Sequence, residues 1–259
     1  NGKGSTTQMI TRLLMAHGLT VGTYTSPHLE RLNERISRNC EPISDDDFDA
    51  LVADTQPLID IVDSQQIGGV PMTFFEVITA LAYEAFAEAP VDVAVVEVGL
   101  GGITDATNVM DAQVAVICPI DYDHTHLLGD TLTEIATEKA GIIKPGSQVV
   151  LAGQQPEAAA VLIRRCAEVG AKVYLEGVEF GLLERTPAVG GQVLRIDTAG
   201  GPVGDLLLPL FGEHMARNAA LAVAAVEAFL GGKALAPEVI AEGLADDRWA
   251  LISKLHHAM

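Results

Sequence analysis

The sequence contains few cysteines and few basic residues. Its three cysteines, Cys40, Cys118 and Cys166, are widely separated along 259 residues and form no Cys-x-x-Cys pair. An odd number of scattered cysteines favours neither a disulfide framework nor a zinc site, and it is typical of a protein in a reducing cytosol. We therefore expect a cytoplasmic protein.

Basic residues are outnumbered by acidic ones. Lys and Arg total 16 against 35 Asp and Glu, so the formal net charge is −19. Such a charge argues against general binding to a nucleic-acid backbone, and an anionic substrate would need a local group of cations. Long hydrophobic runs are also lacking, since the stretches Val93 to Val98 and Ala219 to Leu230 are too short or too rich in alanine to span a bilayer. We expect neither a nucleic-acid nor a membrane partner.

Helix and strand patterns alternate along most of the chain. The strand patterns are Leu19–Tyr24, Val91–Val98, Val114–Pro119, Val149–Ala152 and Lys172–Leu175. The helix patterns are the segment between the opening loop and Gly18, Asp45–Ile61 (which Pro57 is expected to kink or shorten), Thr73–Ala87 with a capping box, Leu132–Ala140, Pro156–Val169 and Ala216–Phe229. This alternation predicts an α/β fold with a mostly parallel sheet flanked by helices.

Two features refine this prediction. The runs Val91–Val98 and Val114–Pro119 are apolar and β-branched, which predicts strands buried on both faces of the sheet. Residues Phe180–Leu210 instead alternate in short segments broken by Gly190-Gly191 and Gly200-Gly201, which predicts a small antiparallel sheet.

The chain opens on Asn-Gly-Lys-Gly-Ser-Thr-Thr, Asn1 to Thr7. In a phosphate-binding loop, glycines let backbone N–H groups approach the phosphates, a lysine reaches their oxygens and a hydroxyl ligates Mg²⁺. An amphipathic helix follows directly and would point its positive end at the anion. The alternative is a flexible terminus, because so short a motif also recurs by chance.

Polar residues follow two of the predicted buried strands. Glu97 precedes the glycines of Gly99-Leu100-Gly101-Gly102, and Asp121-Tyr122-Asp123-His124-Thr125-His126 follows the next strand. Either group could bind a metal ion, although Glu97 could also cap a helix and the second group could be an ordinary solvated loop. Parallel strands would bring Lys3, Glu97 and His124 to one edge of the sheet, which favours a nucleotide and magnesium site.

Several motifs together resemble folylpolyglutamate synthase and dihydrofolate synthase of the Mur ligase superfamily, over roughly residues 1 to 220. In family order they are Asn1-Gly2-Lys3-Gly4-Ser5, Thr25-Ser26-Pro27-His28-Leu29 with Asn33-Glu34-Arg35-Ile36, Thr73-Phe74-Phe75-Glu76, Glu97 to Gly102 with Asp105-Ala106-Thr107-Asn108, Asp123-His124 with Leu128-Gly129, and Glu138-Lys139-Ala140-Gly141-Ile142.

The resemblance implies a domain organisation. Residues 1–243 would be the ATP-binding central domain, with the strand before the phosphate loop missing. Residues 244–259 would be an unassigned tail or a remnant of the family's C-terminal Rossmann-like domain, which is otherwise absent or truncated. We therefore expect the isolated chain to have little ligase activity, because the family's site lies between two domains.

The implied activity is an ATP-dependent amide ligation. L-Glutamate would be added to dihydropteroate, to reduced folates or to both, through an acyl phosphate, with ATP and Mg²⁺ as cofactors and a monomeric enzyme. Two alternatives stay open, namely another Mur-type ligase that makes a peptidoglycan precursor and a noncatalytic nucleotide-binding module. The noncatalytic module is favoured by Ile103-Thr104, because the family usually has Arg and a bulky residue at these two positions.

The resemblance also implies site residues. Catalytic roles fall on Lys3, His124 and Lys139, the last of which the family carbamylates, although an unmodified lysine would form a salt bridge. ATP would be bound by Asn1, Gly2, Lys3, Gly4, Ser5, Thr6, His214 and Asn218, and the metal by Ser5, Ser26, Glu97 and His124. The folate substrate would contact Ser26, Pro27, His28, Arg35, Phe75 and Asp105. Phe75 could also belong to the core, and Arg31 could lie on a solvated helical face.

Overall fold

The computed structural model describes residues 2–65, 69–122 and 125–245. The helices are α1 (Lys3–Ala16), α2 (Asp45–Ser64), α3 (Phe74–Glu88), α4 (Thr125–Leu128), α5 (Leu132–Lys139), α6 (Pro156–Val169), α7 (Glu213–Phe229) and α8 (Pro237–Leu244). The strands are β1 (Val21–Tyr24), β2 (Ile36–Arg38), β3 (Glu41–Pro42), β4 (Val93–Val96), β5 (Val114–Ile117), β6 (Gln148–Leu151), β7 (Lys172–Leu175), β8 (Gly181–Ala188), β9 (Gly191–Thr198) and β10 (Gly201–Leu208). Short 3-10 helices include Leu32–Arg35, Ala106–Val109 and Ala140–Ile142.

The strands form three sheets. In the first, of order β3-β2-β1-β4, β1 and β4 are parallel with Val21 opposite Val93 and Tyr24 opposite Val96. In the second, of order β5-β6-β7, all strands are parallel. The third is an antiparallel meander of order β10-β9-β8. The pairs β1–β2 and β2–β3 of the first sheet are antiparallel. The fold is therefore α/β with one mixed sheet, one parallel sheet and a small antiparallel sheet, and the predicted α/β class is confirmed.

Three hydrophobic cores hold the helices on these sheets. The largest joins α1, α7 and α8 to β6, β9 and β10, and the alanine-rich α7 is buried along most of its length. A second core packs α5 and α6 against β5 and β6. A third packs α2 and α3 against β1 and β2. Small side chains on α7 let its backbone lie close to α1, which brings their polar first turns together.

Most predicted elements are found within one or two residues of their expected bounds. The capping box of α3 is present, with Thr73 and Glu76 bonding each other's backbone N–H groups. Pro57 does not shorten α2, which continues to Ser64. Among the described residues, no helix is long and apolar enough to cross a membrane.

One prediction about burial is wrong. The strand β4 is not buried on both faces, since Ala94 is exposed and Val93, Val95 and Val96 are only half-buried. The cause is topological. The strand β4 pairs with β1 on one side, but β4 and β5 belong to different sheets, and a cavity lies between them.

Candidate functional site

The first turn of α1 is built to hold an anion. Gly2 caps the helix with φ of +86°, a left-handed conformation that glycine adopts without steric cost. The first backbone bond of the turn runs from Thr6 N to Gly2 O at 3.1 Å, so the N–H groups of Lys3, Gly4 and Ser5 have no acceptor within the helix. These donors, the positive end of the helix dipole and the Lys3 ammonium all favour a bound phosphate.

Asn218 of α7 fixes this turn from the side. Its Nδ2 donates to Ser5 Oγ at 3.0 Å, and Ser5 Oγ donates to Gly2 O at 3.1 Å. A Cβ added at Gly2 would lie 2.8 Å from Asn218 Nδ2, so the two backbones approach as closely as glycine permits. The structure thus joins Gly2, Ser5 and Asn218, three of the residues predicted to bind ATP. His214 lies one helical turn before Asn218 and is exposed to solvent.

Glu97 lies immediately after β4 and beside the same turn. Its backbone N–H donates to Tyr24 O at 2.9 Å, and its carboxylate accepts a bond from Ser26 N at 3.3 Å. The two carboxylate oxygens lie 3.6 and 3.7 Å from the position that a Gly4 Cβ would occupy. The side chain is only 6% exposed. A buried carboxylate beside a phosphate-binding turn supplies an oxygen ligand for a divalent cation that bridges to phosphate.

The end of β5 reaches this turn as well. Cys118, the residue after β5, has its Sγ 3.7 Å from Thr6 Oγ1 in α1. Burial raises the pKa of the Cys118 thiol, so it is protonated and unreactive at neutral pH. Because Glu97 follows β4 and Cys118 follows β5, the carboxyl ends of both strands meet the start of α1, as the sequence predicts for Lys3 and Glu97. His124 lies outside the described residues.

Lys139 ends α5 and faces the glycine-rich segment after Glu97. A Cβ at Gly102 would lie 2.5 Å from Glu138 O and 3.1 Å from Lys139 Cα, and Ile103 N donates to Glu138 O at 3.1 Å. Lys139 lines the same cavity as Lys3 and Glu97. The close packing of the glycines therefore brings a second lysine to the phosphate side of the site.

Polar contacts between its own side chains hold the segment Ser26–Arg35 together. Arg35 Nε donates to His28 Nδ1 at 2.9 Å, and the Arg35 guanidinium lies 5.3 Å from the centre of the Phe74 ring. Arg35 is 8% exposed, and the Ser26–Pro27 peptide bond is cis. Arg31 instead forms an exposed ion pair with Asp45, which agrees with the solvated alternative for that residue.

Glu34 organises the same segment. Its carboxylate accepts backbone bonds from Leu29, Glu30 and Arg31 at 2.7, 3.1 and 2.9 Å. Burial acts to raise the Glu34 pKa, but the bonds from Leu29, Arg31 and Glu30 outweigh it and lower the pKa overall. No separate role for Glu34 is predicted from the sequence. The signal that could have indicated one is its position at the start of a short helix, where a glutamate can accept bonds from backbone N–H groups.

The two phenylalanines that begin α3 differ in exposure and in contacts. Phe75 is half-buried, packs against Gly99 and lies 6.0 Å from Tyr24 between ring centres. A Cβ at Gly99 would lie 2.5 Å from Phe75 Cζ, so this glycine makes room for the ring. Phe74 is 57% exposed and stacks with Arg35, a contact that the sequence did not reveal.

Asp105 is bonded within its own loop. One carboxylate oxygen accepts from Leu100 N at 2.8 Å, and the other accepts from Thr107 N at 3.0 Å and from the Thr107 hydroxyl at 2.5 Å. It thereby caps the 3-10 helix Ala106–Val109. Burial first, and the Asp105 charge second, raise the pKa of the nearby Tyr83 to about 12.

Sequence reasoning missed a polar group at the ends of β6 and β7. Arg217 Nε donates to Glu176 Oε1 at 2.7 Å, and Glu176 Oε2 accepts from Gly153 N at 2.6 Å. The bond to Glu176 is the main cause that raises the Arg217 pKa. Arg217 lies between His214 and Asn218 in α7. The available signal was Glu176, a charged residue directly after β7.

Two of the predicted site residues, Asn1 and His124, lie outside the described residues, as do positions 246–259 of the expected tail. Within the described ranges, no group of three or more His, Cys, Asp or Glu side chains is placed to hold a metal ion. The site fits Mg²⁺ nonetheless, because Mg²⁺ is commonly held by one or two carboxylates together with substrate phosphates. Glu97 is such a carboxylate.

Comparison with known proteins defines the class. The model of the Mur ligase middle domain matches residues 64–226. The chain therefore belongs to the Mur ligase middle domain family, in agreement with its parallel strand pairs and with the anion site at the start of α1.

Individual relatives narrow the likeness to folate enzymes. The chain is 47% identical over 245 residues to the dihydrofolate synthase/folylpolyglutamate synthase of Mycobacterium tuberculosis, covering 90% of this chain and 50% of that protein. It is 40% identical over 251 residues to the folylpolyglutamate synthase of Lacticaseibacillus casei, covering 96% and 58%. The chain thus spans about half the length of the relatives it matches.

Solved structures agree with the sequence relatives. The M. tuberculosis folylpolyglutamate synthase complexed with ADP and AMPPCP superposes with a TM-score of 0.91 at 46% identity, over 95% of this chain and 56% of that one. An FPGS–AMPPCP–folate complex superposes with a TM-score of 0.89 at 42% identity, over 95% and 60%. The resemblance inferred from the motifs is confirmed.

Proposed function

We propose that this chain carries the ATP-binding half of a ligase that joins L-glutamate to dihydropteroate, to a reduced folate or to both. The observation that carries the proposal is the position of the Glu97 carboxylate against Gly4, at the positive end of α1 and beside Lys3. The relatives whose complexes contain ADP, AMPPCP or folate support the same assignment.

The phosphate end of the site works by electrostatic positioning. The N–H groups at the start of α1 and the Lys3 ammonium bind phosphate oxygens, and Asn218 holds Ser5 and Gly2 in place. Mg²⁺ would be held by Glu97, with Ser5, Ser26 and His124 as further candidates, and it supplies positive charge between phosphate and carboxylate. Lys139, if it is carbamylated as the resemblance to the family implies, would supply a further carboxylate that can bind the metal.

The other reactant is a carboxylate, which the negatively charged triphosphate repels. Arg35 and His28 lie in the segment after Ser26, and Arg35 stacks on Phe74. Arg35 would provide a local positive charge that attracts this carboxylate to the acidic chain. The folate carboxylate takes the γ-phosphoryl group of ATP and releases ADP. The glutamate amine then attacks the acyl phosphate, forms the amide and releases phosphate.

The remaining assignments are part of the same proposal. Phe75 and Asp105 would face the pterin or benzoate portion, Pro27 would contact the substrate, and Asn1, Thr6 and His214 would contribute to ATP binding. Residues 1–243 would form the central domain. The protein would act as a cytoplasmic monomer on small molecules alone.

The test is calorimetry on the chain with Mg·ATP and, separately, with dihydropteroate and tetrahydrofolate. We expect Mg·ATP to bind and Lys3→Ala to weaken it by about tenfold or more, because a charge-assisted bond to phosphate is lost. Lys233→Ala is the matched control, since Lys233 is an exposed lysine after α7. Binding of neither folate form would contradict the proposed substrate class, and equal effects of both lysine variants would contradict the phosphate site.

A further inference from the structure

The side chain of Gln154 holds the segment that follows β5. Gln154 Oε1 accepts a bond from Ile120 N at 3.0 Å, and Gln154 Nε2 donates to Cys118 O at 3.0 Å. A single side-chain amide thus satisfies a backbone donor and a backbone acceptor that lie two residues apart. Gln154 itself lies in the loop after β6, so these two bonds fasten residues 118–120 to the end of a neighbouring strand.

The backbone that carries Gln154 is held in place as well. Gly153 N donates to Glu176 Oε2 at 2.6 Å, and Glu176 Oε1 accepts a bond from Arg217 Nε at 2.7 Å. The N–H group of Glu176 donates to Leu151 O at 3.0 Å. The ends of β6 and β7 and the helix α7 are therefore joined by hydrogen bonds, and Gln154 extends this support to the end of β5.

The segment that Gln154 holds leads directly to a carboxylate. Asp121 follows Ile120 and lines the cavity of about 430 Å³ between β4 and β5, as does Lys3. The acidic residues that line this cavity within the described ranges are Asp92, Glu97 and Asp121. Asp92 precedes β4, whereas Glu97 and Asp121 come after the carboxyl ends of β4 and β5. Because both strand ends meet the start of α1, Glu97 and Asp121 lie at the phosphate end of the cavity.

A second carboxylate at this end suits the metal of the proposed site. Mg²⁺ is commonly bound through one or two carboxylates together with substrate phosphates. Asp121 is exposed, and its Oδ1 accepts a bond from Tyr122 N at 2.8 Å. An exposed carboxylate favours metal binding only where its backbone is already ordered, because ordering it on binding costs conformational entropy. The bonds from Gln154 supply that order one residue before Asp121.

We propose that Gln154 is a positioning residue for the Mg²⁺ of the ATP site and that Asp121 is the carboxylate it positions. The inference rests on the proposed function, because it takes ATP and Mg²⁺ as the ligands. Gln154 acts through residues 118–121 and contacts neither ligand. The phosphate-binding turn of α1 has its own support from Asn218. Loss of the Gln154 bonds should therefore weaken what the metal contributes to ATP binding and spare the contacts of α1 with phosphate.

The test measures ATP affinity by calorimetry, once with Mg²⁺ and once with EDTA, and the ratio of the two affinities gives the contribution of the metal. Gln154→Met keeps the length of the side chain and removes both bonds. Gln155→Met is the matched control, since Gln155 is the next residue of the same loop and is exposed. Asp121→Asn tests the carboxylate itself. Hydrogen exchange at the Ile120 amide, without metal or nucleotide, reports the bond to Gln154.

We expect Gln154→Met to lower the ratio by about tenfold, as for other groups that hold a metal ligand in place. Its metal-free ATP affinity should be unchanged, and its Ile120 amide should exchange faster. Asp121→Asn should lower the ratio by at least as much without faster exchange at Ile120, and Gln155→Met should change none of these quantities.

Two kinds of failure can be told apart. If Gln154→Met loses affinity equally with and without Mg²⁺, Gln154 supports only the fold, and the inference is overturned while the proposed function stands. An unchanged ratio in either Gln154→Met or Asp121→Asn overturns it in the same way. If the unaltered chain does not bind Mg·ATP, the proposed function and this inference are both overturned.

Discussion

Gly2 and Gly18 flank α1, and their φ angles, +86° and +91°, both lie in the left-handed region. A Cβ at Gly18 would meet no atom within 4 Å, whereas one at Gly2 would collide with Asn218. We expect Gly18→Ala to lower the free energy of unfolding by about 1 kcal/mol, from backbone strain alone. Urea unfolding measures this value.

Gly2→Ala should affect ligand binding as well as stability. The added methyl displaces Asn218 from Ser5, so this variant should also weaken Mg·ATP binding by about tenfold, the effect of a lost hydrogen bond. Gly18→Ala should leave Mg·ATP affinity unchanged. Unchanged affinity in Gly2→Ala would show that the Asn218–Ser5–Gly2 contacts do not order the loop.

Glu227 is a buried carboxylate inside α7, only 3% exposed, and both its oxygens accept backbone bonds, from Leu235 N at 3.0 Å and Ala199 N at 2.9 Å. Burial raises its pKa, and these two bonds only partly oppose the rise. Because the folded pKa is raised, the contribution of Glu227 to stability is complete below its ordinary pKa and is lost as pH rises through the folded value.

Glu227→Gln tests this sign. We expect the substitution to remove that part of the pH dependence of unfolding, measured by urea titration between pH 4 and 8. It should also cost about 1–3 kcal/mol, because the amide nitrogen faces a backbone donor that needs an acceptor. A variant whose stability has the same pH dependence as the unaltered chain would contradict the role of Glu227.

At the scale of elements, the segment Ser26–Arg35 depends on Glu34. The Glu34 pKa is lowered, so its stabilising effect is present above the ordinary pKa of glutamate and is lost as pH falls through the lowered value. We expect Glu34→Gln to weaken tetrahydrofolate binding at pH 7 while Mg·ATP binding stays unchanged, because Glu34 bonds the backbone of residues 29–31 and neither Ser26 nor α1. Calorimetry with each ligand separates the two effects.

Glu30→Gln is the matched control for this element. Glu30 is exposed in the same segment, and its backbone N–H, not its side chain, makes the bond to Glu34. Its substitution should change neither affinity. Equal loss of tetrahydrofolate binding in both variants would mean that the charge of the segment matters and its folding around Glu34 does not.

The elements also show what the sequence could predict. The capping boxes of α3 and α5 each span four consecutive residues. The local sequence pattern was therefore sufficient to predict where α3 begins. The strand-end rule likewise placed Glu97 beside Lys3. The pairing of Arg217 with Glu176 joins residues 41 positions apart, and the exposure of β4 depends on sheet order. The strand-end position of Glu176 is visible in the sequence, but a local pattern encodes neither its partner Arg217 nor the order of the strands, so neither the ion pair nor the exposure of β4 was predictable.

At the scale of the whole molecule, charge opposes the proposed substrates. The net charge is −19, and the anionic ligands would be attracted by local cations such as Lys3 and Arg35. Repulsion by distant carboxylates acts over a Debye length, which is about 30 Å at 0.01 M salt and about 8 Å at 0.15 M. Contacts within a buried site are screened much less.

This difference in range predicts the salt dependence of association. The rate constant for tetrahydrofolate binding, measured by stopped flow, should rise between 0.01 M and 0.15 M salt, because screening removes the long-range repulsion first. Replacing the exposed Asp46, Asp49 and Asp54 of α2 by Asn should increase the rate at low salt and flatten its dependence, with little change in dissociation. A rate that falls with salt would instead mean that the local cations dominate the field at long range, and the acidic surface would then have no part in setting how fast the substrate arrives.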